Sequence, residues 1–483
     1  MNSLEHKLPR WPFVILALLF VLATSSAFVR RPIHNDEAWI GQQVWSLQKQ
    51  GYVTSDLFQD CPPLDQEIVV YHKQLVWVGE AVSALFGWGL YQLRAVSLVA
   101  GILTLLFLSL AKHEKASSPV RVLTVALLML TPVFWLQMLE FRPEALLLLS
   151  GTASFIALRQ GVAGSRPIWI VLSALLAGMA GLCHAFGFAY VIAGTVALAF
   201  DRRWRSAVWF ALLGIIAFAP YLSGYFTDRE LFIAQTLHNP LMTTSFDYHW
   251  WSPLLNLVSE HKRLLRKPEV IGVTVLFLLA LFSVNREFLR RHRFTLIYLA
   301  TLFVVIGASP LPKFTRYMVP LVPLMALVVS AILVRRTPPD GARQRVVTFA
   351  LRAWLVIFVG YGLYALGAEA LQPENRQVAT NQKLAEAMQP GSRVIAPFDF
   401  VFMQQGRFTI LNWWGAARVA AGNKPAGFLE RYAAAHHVRY LILDPVALAE
   451  WNIAADSLGS TFDNFRLRQS LPEDHRYLFE ITP

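Results

Sequence analysis

Eleven apolar runs constrain this chain more than any other feature. They fall near 11–29, 92–111, 120–138, 143–158, 167–184, 186–200, 206–222, 270–284, 294–309, 315–334 and 346–367. A membrane-crossing helix needs about 20 mostly apolar residues, and most of these runs approach that length. The composition agrees, with 55% hydrophobic and 15% charged residues, where soluble domains carry about 25% charged. The sequence therefore predicts an all-α polytopic membrane domain of about 11 spanning helices plus interfacial helices. Trp11 to Val29 follows Lys7 and Arg10 and has the form of a signal peptide ending at Ser25-Ser26-Ala27. The many later runs favour an uncleaved first helix.

The net charge of +12 is read in the same frame. Basic residues sit between the apolar runs, where they hold loops in the cytoplasm, so nucleic acid is not an expected partner. With the N-terminus inside, Arg121, Arg159 and Arg166, then Arg202, Arg203 and Arg205, then Arg286, Arg290, Arg291 and Arg293 are all cytoplasmic. Lys112, Lys115, Arg335, Arg336, Arg343 and Arg345 join them. Ile68 to Trp88 is apolar enough to be another span, but counting it would invert every later loop. It is read as a helix on the outer face, where Tyr71, His72, Lys73 and Glu80 suit an interface.

Three outer segments result: an outer loop over 30–91, a second over 223–267, and everything after residue 368. The expected division is a membrane domain over 1–368 and a small C-terminal α/β extracytoplasmic domain over 369–483. In the latter, Ser392 to Phe398, Val438 to Leu443 and Arg476 to Ile481 read as strands, and Asn381 to Met388 and Gly427 to His436 as helices. Cys61 and Cys183 exclude a disulfide scaffold or a Cys-rich zinc site and leave at most one bridge.

Three clusters carry chemistry. Asp36 and Glu37 stand just past the first helix, at headgroup level. A carboxylate there suits general-base work on a hydroxyl, and the pair also suits a divalent cation; the bland alternative is a helix start capped by Asn35 or Asp36. Glu140-Phe141-Arg142-Pro143-Glu144 falls at an outer helix boundary. Glu144 is an ionisable residue at membrane depth, hence a functional candidate, or else a partner of Arg142 in a salt bridge. Lys313, Arg316 and Tyr317 enter an apolar helix and suit a lipid-linked phosphate, or headgroup snorkelling. In the second outer loop, His238, Asp247, Tyr248, His249, Trp250 and Trp251 suit a cover over the site, although paired Trp also anchors at interfaces. His184 reads as a helix-end residue with a satisfied hydrogen bond.

Together these segments resemble the polyprenyl-phosphate-sugar-dependent transferases of the GT-C superfamily, notably glycosyltransferase family 39 and the lipid A aminoarabinose transferases. The resemblance rests on Asp36-Glu37-Ala38-Trp39, Gly51-Tyr52-Val53-Thr54, Pro62-Pro63-Leu64, Leu93-Arg94-Ala95-Val96-Ser97, Arg142-Pro143-Glu144 and Lys313 to Pro320 with Pro323, in that order. It implies an inverting transfer from a polyprenyl-phosphate-linked sugar donor to a lipid or glycan acceptor, or a protein, on the outer face of the bacterial inner membrane. Asp36 and Glu37 are then catalytic. Arg142, Glu144 and His249 position the acceptor. Lys313, Arg316, Tyr317, His72, Lys73 and Arg94 hold the lipid phosphate. Cys61 stands where many relatives carry Lys, so a cation there is missing or is replaced by His72 or Lys73. No cofactor signature accompanies these motifs, and metal use is left open by the carboxylate pair alone. A polytopic transporter or flippase of lipid-linked sugars is the alternative class, disfavoured by the lack of an inverted repeat.

Overall fold

The computed structural model describes residues 11–111, 118–237, 249–309, 314–334, 341–420, 427–453, 458, 461–462 and 464–481. Lys313, His238, Asp247, Tyr248, Lys112, Lys115, Arg335 and Arg336 lie outside the described residues.

The chain is mainly helical. It runs through α1 (Trp11–Arg30), α2 (Asn35–Gln50), α3 (Lys73–Phe86), α4 (Leu90–Leu110), α5 (Ser118–Met129), α6 (Pro132–Met138), α7 (Pro143–Gly164), α8 (Pro167–Cys183), α9 (Phe188–Phe200) and α10 (Trp204–Phe218). Later apolar helices include Pro268–Phe282, Arg293–Ala308, Val322–Leu333 and Gly341–Ala370. Among the described residues, six helices are long and apolar enough to cross a membrane, or seven when α5 and α6 count as one bent crossing. The protein is thus a multi-pass membrane protein.

The run at 120–138, expected as one straight helix, is broken. α5 and α6 meet at 72°, because Pro132 occupies the first turn of α6 and restricts Thr131 to extended backbone. The break aims the end of α6 at Glu140 and Arg142. The short run at 143–158 is instead a 22-residue helix, since its polar end at Arg159 and Gln160 still continues the backbone ladder. α3 has 14 residues, and Lys73, Gln74 and Glu80 make it more polar than the shorter apolar helices Pro167–Cys183, Ala185–Phe200, Pro268–Phe282 and Arg293–Ala308.

In lipid, helices associate through close packing and interhelical hydrogen bonds rather than expulsion of water. α7 and α8 show the second device. Ser154 Oγ donates to Ser173 O at 2.8 Å, and Ser173 Oγ to Ser154 O at 2.6 Å. α8 and α10 show the first. A Cβ on Gly178 would lie 2.3 Å from the Gly214 carbonyl oxygen, so only glycine admits that backbone approach.

The C-terminal part forms one six-stranded mixed sheet, in the order β2-β1-β3-β6-β5-β4. Its strands are β1 (Arg393–Ala396), β2 (Thr409–Asn412), β3 (Val438–Leu443), β4 (Thr461–Phe462), β5 (Phe465–Leu471) and β6 (Arg476–Ile481). β1 lies parallel to β2 and β3, while β3, β6, β5 and β4 pair antiparallel. Ile395, Leu411, Leu441, Phe465 and Phe479 are buried on one face of it.

This sheet domain packs onto the segment between α1 and α4. Trp88 Nε1 donates to Phe402 O at 3.2 Å, Gln42 Nε2 to Gln405 Oε1 at 3.1 Å, and Tyr432 Oη to Gln59 O at 3.1 Å. His436 Nε2 lies 2.6 Å from Asp60 Oδ2. Phe58 packs against both Phe398 and Trp414. Cys61 and Cys183 are both free and buried.

Candidate active site

α2 begins where the first helix emerges. Its N-cap is His34 rather than Asn35 or Asp36: His34 Nδ1 accepts from the Asp36 N–H at 3.1 Å, and the Glu37 carboxylate accepts from the His34 N–H at 2.9 Å. This reciprocal capping turns the adjacent carboxylates in opposite directions. α2 ends at Gly51, whose φ of 81° closes the helix in a left-handed cap.

Glu37 points inward and is fully buried. Oε1 accepts from Arg94 Nε at 2.9 Å and from the Phe141 N–H at 2.7 Å. Oε2 accepts from an Arg94 terminal nitrogen at 2.8 Å and from His34 N–H. Arg94, expected at the lipid phosphate, is itself 0% exposed and uses its remaining donors on the carbonyls of Phe28, Arg31 and Pro32. No donor is left for a ligand. The pair fastens α1's exit, α2, α4 and the Phe141 turn to one another.

Asp36 points outward, with its side chain 36% exposed. It pairs with Arg142, and Arg316 lies 3.4 Å away. Arg142 also grips Glu144 through two bonds of 3.2 Å, and Arg316 Nε reaches Glu144 at 3.4 Å. Two carboxylates and two guanidiniums thus alternate in one cluster, drawn from α2, the 140–144 turn and the Phe314 to Leu321 segment. The Arg142–Glu144 salt bridge, one of the two readings of this pair, is present and lies in the cluster. Burial alone would raise the Asp36 pKa, but Arg142, then His34 and Arg316, outweigh it and pull it down to about 2. Arg142 is held charged by Glu144, Asp36 and Glu140 despite its burial. Behind it, Arg31 bonds to Glu140 at 2.9 Å and pairs with Glu369.

An aromatic wall adjoins the cluster. His72 stacks on His184 at 5.1 Å, and His184 lies 5.0 Å from the Tyr317 ring. His184 ends α8, and its Nδ1 accepts from the Phe186 N–H at 3.2 Å, the satisfied helix-end role expected of it. Burial lowers the His72 pKa, with Glu144 opposing, so its ring is held neutral. Arg316 stacks on Phe314 at 4.2 Å. Arg263 donates to the Phe314 carbonyl at 3.2 Å and anchors that segment.

Not every expected residue joins them. Lys73 turns away from the cluster: its Nζ donates to Ser223 Oγ at 3.1 Å and sits 4.3 Å from the Tyr71 ring centre. It lines a separate cavity of about 150 Å³ with Tyr52, Tyr71 and Thr227. His249 is exposed, stacks on Trp251 at 4.5 Å and donates its N–H to Ser252 Oγ at 2.9 Å. Among the described residues no three His, Cys, Asp or Glu side chains converge as a metal-binding group. The site's carboxylates are paired with guanidiniums, a donor set that does not fit a divalent cation. His34, Arg31 and Glu369 were not singled out from the sequence. The Asp36-Glu37 pair drew attention from its preceding His34, and nothing local marks Glu369, 338 residues from Arg31.

Residues 74–223 match the family model of dolichyl-phosphate-mannose-protein mannosyltransferase. No curated protein matches the chain in sequence. Among solved structures, ArnT from Cupriavidus metallidurans bound to undecaprenyl phosphate is similar at 13% identity and TM-score 0.64, over 98% of each chain. The archaeal oligosaccharyltransferase AglB from Archaeoglobus fulgidus, in complex with an inhibitory peptide and a dolichol-phosphate, is similar at 12% identity and TM-score 0.53, over 91% of this chain and 71% of that one. The family model matches one segment of the chain and the solved structures share its fold, and both agree with the resemblance carried by the motifs.

Proposed function

We propose that this protein transfers a sugar, with inversion at the anomeric carbon, from a polyprenyl-phosphate donor to a hydroxyl of an envelope acceptor on the outer face of a bacterial inner membrane. The observation that carries the reading is the half-exposed Asp36 carboxylate facing two guanidiniums. A base and a phosphate-binding pair are thereby adjacent, as a displacement at a glycosyl phosphate requires.

Free Asp36, with a pKa near 2, is a weak base. A donor phosphate entering beside Arg142 and Arg316 competes for the same guanidiniums. Their hold on Asp36 loosens, and its basicity rises when donor is bound. Asp36 then takes the acceptor hydroxyl proton as the oxygen attacks the anomeric carbon. The glycosyl–oxygen bond to phosphate breaks, and Arg316, joined by Lys313, stabilises the charge that develops on the departing phosphate. Glu144 holds Arg142 and Arg316 in register. Glu37 acts through the backbone of the site as a positioning residue, and His72 with Tyr317 forms one wall. Lipopolysaccharide or lipid A, another glycan, or a protein are the acceptor classes this reading leaves open.

On this reading the four shorter apolar helices also cross, and with the six long helices and the bent pair they make eleven crossings. The basic loops then face the cytoplasm and the sheet domain faces the periplasm, as the positive-inside rule favours.

The test uses purified protein in detergent with radiolabelled polyprenyl-phosphate sugars and envelope extracts. Labelled acceptor supports the reading. Uptake of the donor into proteoliposomes, without transfer, would replace it with lipid transport.

A further inference from the structure

A second cavity, of about 240 Å³, opens between α2 and the C-terminal domain. Gln42, Trp45, Gln50, Thr54, Asp56 and Arg407 are among its lining residues. Its walls are three amides, three hydroxyls, one carboxylate, one guanidinium, one indole and one phenyl ring. A lipid tail would need apolar walls. A nucleotide phosphate would need clustered cations or a glycine-rich helix start, and α2 presents its C-terminal half here. Mixed neutral donors and acceptors beside an indole suit a sugar, whose hydroxyls need both kinds of partner and whose apolar ring face lies against aromatics. Asp56 is half-buried at this wall and feels the charge of Arg393, and its carboxylate oxygens are acceptors for hydroxyls. The volume is below the roughly 300–1,000 Å³ of drug-sized pockets, which suits one sugar ring with the rest of a chain outside.

Placement adds a second argument. Gln42 to Gln50 follow Asp36 on the same helix, about 9–21 Å along it at 1.5 Å per residue. An extended glycan seated in the cavity has its other end within reach of Asp36. The far wall comes from the Gln405 to Thr409 segment, which ties the sheet domain to the site. Gly406 has φ 85°, and a Cβ there would lie 2.5 Å from Trp45 Cζ2, so this glycine allows the indole to lie at the rim.

We propose that this cavity is a carbohydrate subsite that holds a distal sugar of the acceptor, so that the acceptor is a glycan or glycolipid with more than one sugar residue. The inference rests on the transferase reading above and assigns the sheet domain a part in acceptor choice.

The experiment is saturation-transfer NMR on the full chain in detergent, without any lipid-linked donor. The probe is the oligosaccharide fraction released by mild acid from the native host's envelope. Wild type transfers saturation to sugar protons. The double variant Gln50→Ala with Arg407→Ala loses two hydrogen-bonding side chains and binds about tenfold more weakly. Gln50 is exposed and Arg407 half-buried, and far-ultraviolet circular dichroism checks that the variant is folded. Absence of saturation transfer in wild type, or undiminished binding by the double variant, overturns the subsite. Sugar transfer without oligosaccharide binding overturns the subsite alone. Binding without sugar transfer from any lipid-linked donor overturns the transferase reading instead.

Discussion

Glu37→Gln separates a residue that holds the site from one that does the chemistry. Each Glu37 oxygen accepts two hydrogen bonds, and all four donors are buried or backbone groups. Glutamine must place an NH₂ where one oxygen stood, so either amide rotamer sets a donor against two donors. Arg94, 0% exposed, also loses its counter-charge. Removing one partner of a buried ion pair costs about 3–5 kcal/mol. Since 1 kcal/mol moves a midpoint by about 2–4 °C in domains of 150–250 residues, and less in a longer chain, a fall of roughly 5–15 °C is expected. Thermal unfolding of the detergent-purified protein, followed by circular dichroism, measures it. Asp36→Asn, at a half-exposed carboxylate, should unfold within a few degrees of wild type. A Glu37→Gln protein that melts with wild type yet lacks activity would refute this reasoning and make Glu37 part of the chemistry.

Three further outcomes are expected. Arg316→Ala removes a charged donor from the phosphate side, worth about 1.5–3 kcal/mol. Its kcat/KM for the lipid-linked donor should fall roughly tenfold to a hundredfold in a transfer assay, while the fold survives. Asp36 has its pKa lowered from 3.8 to about 2, so its contribution to stability is fully present above about pH 4 and is lost as pH falls toward 2. The difference in unfolding midpoint between wild type and Asp36→Asn should therefore be constant from pH 5 to 8 and change only below about pH 4. Gly178→Ala should lower the melting temperature through overpacking of about 1–3 kcal/mol, while Gly360→Ala, whose Cβ meets nothing within 4 Å, should not.

Much of this was legible because each signal was local. Apolar runs of span length gave the helices, and short runs rich in aromatic and aliphatic residues gave β3 and β6 with the bounds Val438–Leu443 and Arg476–Ile481. β5 was missed because Arg466, Arg468 and Gln469 give it an amphipathic, polar look, and β2 because it passes directly at Asn412 into the helix Trp413–Val419. The break at Pro132 was missed because the apolar run passes through it without change of hydropathy. At the site, the Asp-Glu pair and the Arg-Pro-Glu turn were visible as motifs. Their opposite roles were not, since adjacent carboxylates look alike until the capping bond to His34 turns one inward and the other out. Arg94 could not be told from a ligand-binding arginine by sequence. Its partners are the three carbonyls near α1's exit and Glu37, 57 residues away.

Sugar transfer by matched preparations of wild type and Asp36→Asn tests most directly whether Asp36 is the base. Both would be given a polyprenyl-phosphate sugar and envelope acceptor after equal melting temperatures have been verified. Transfer by wild type, with loss of at least about 100-fold in Asp36→Asn, is the predicted result, within the range that general-base catalysis supplies. Equal transfer by both proteins would show that Asp36 is not the base and would contradict the central claim.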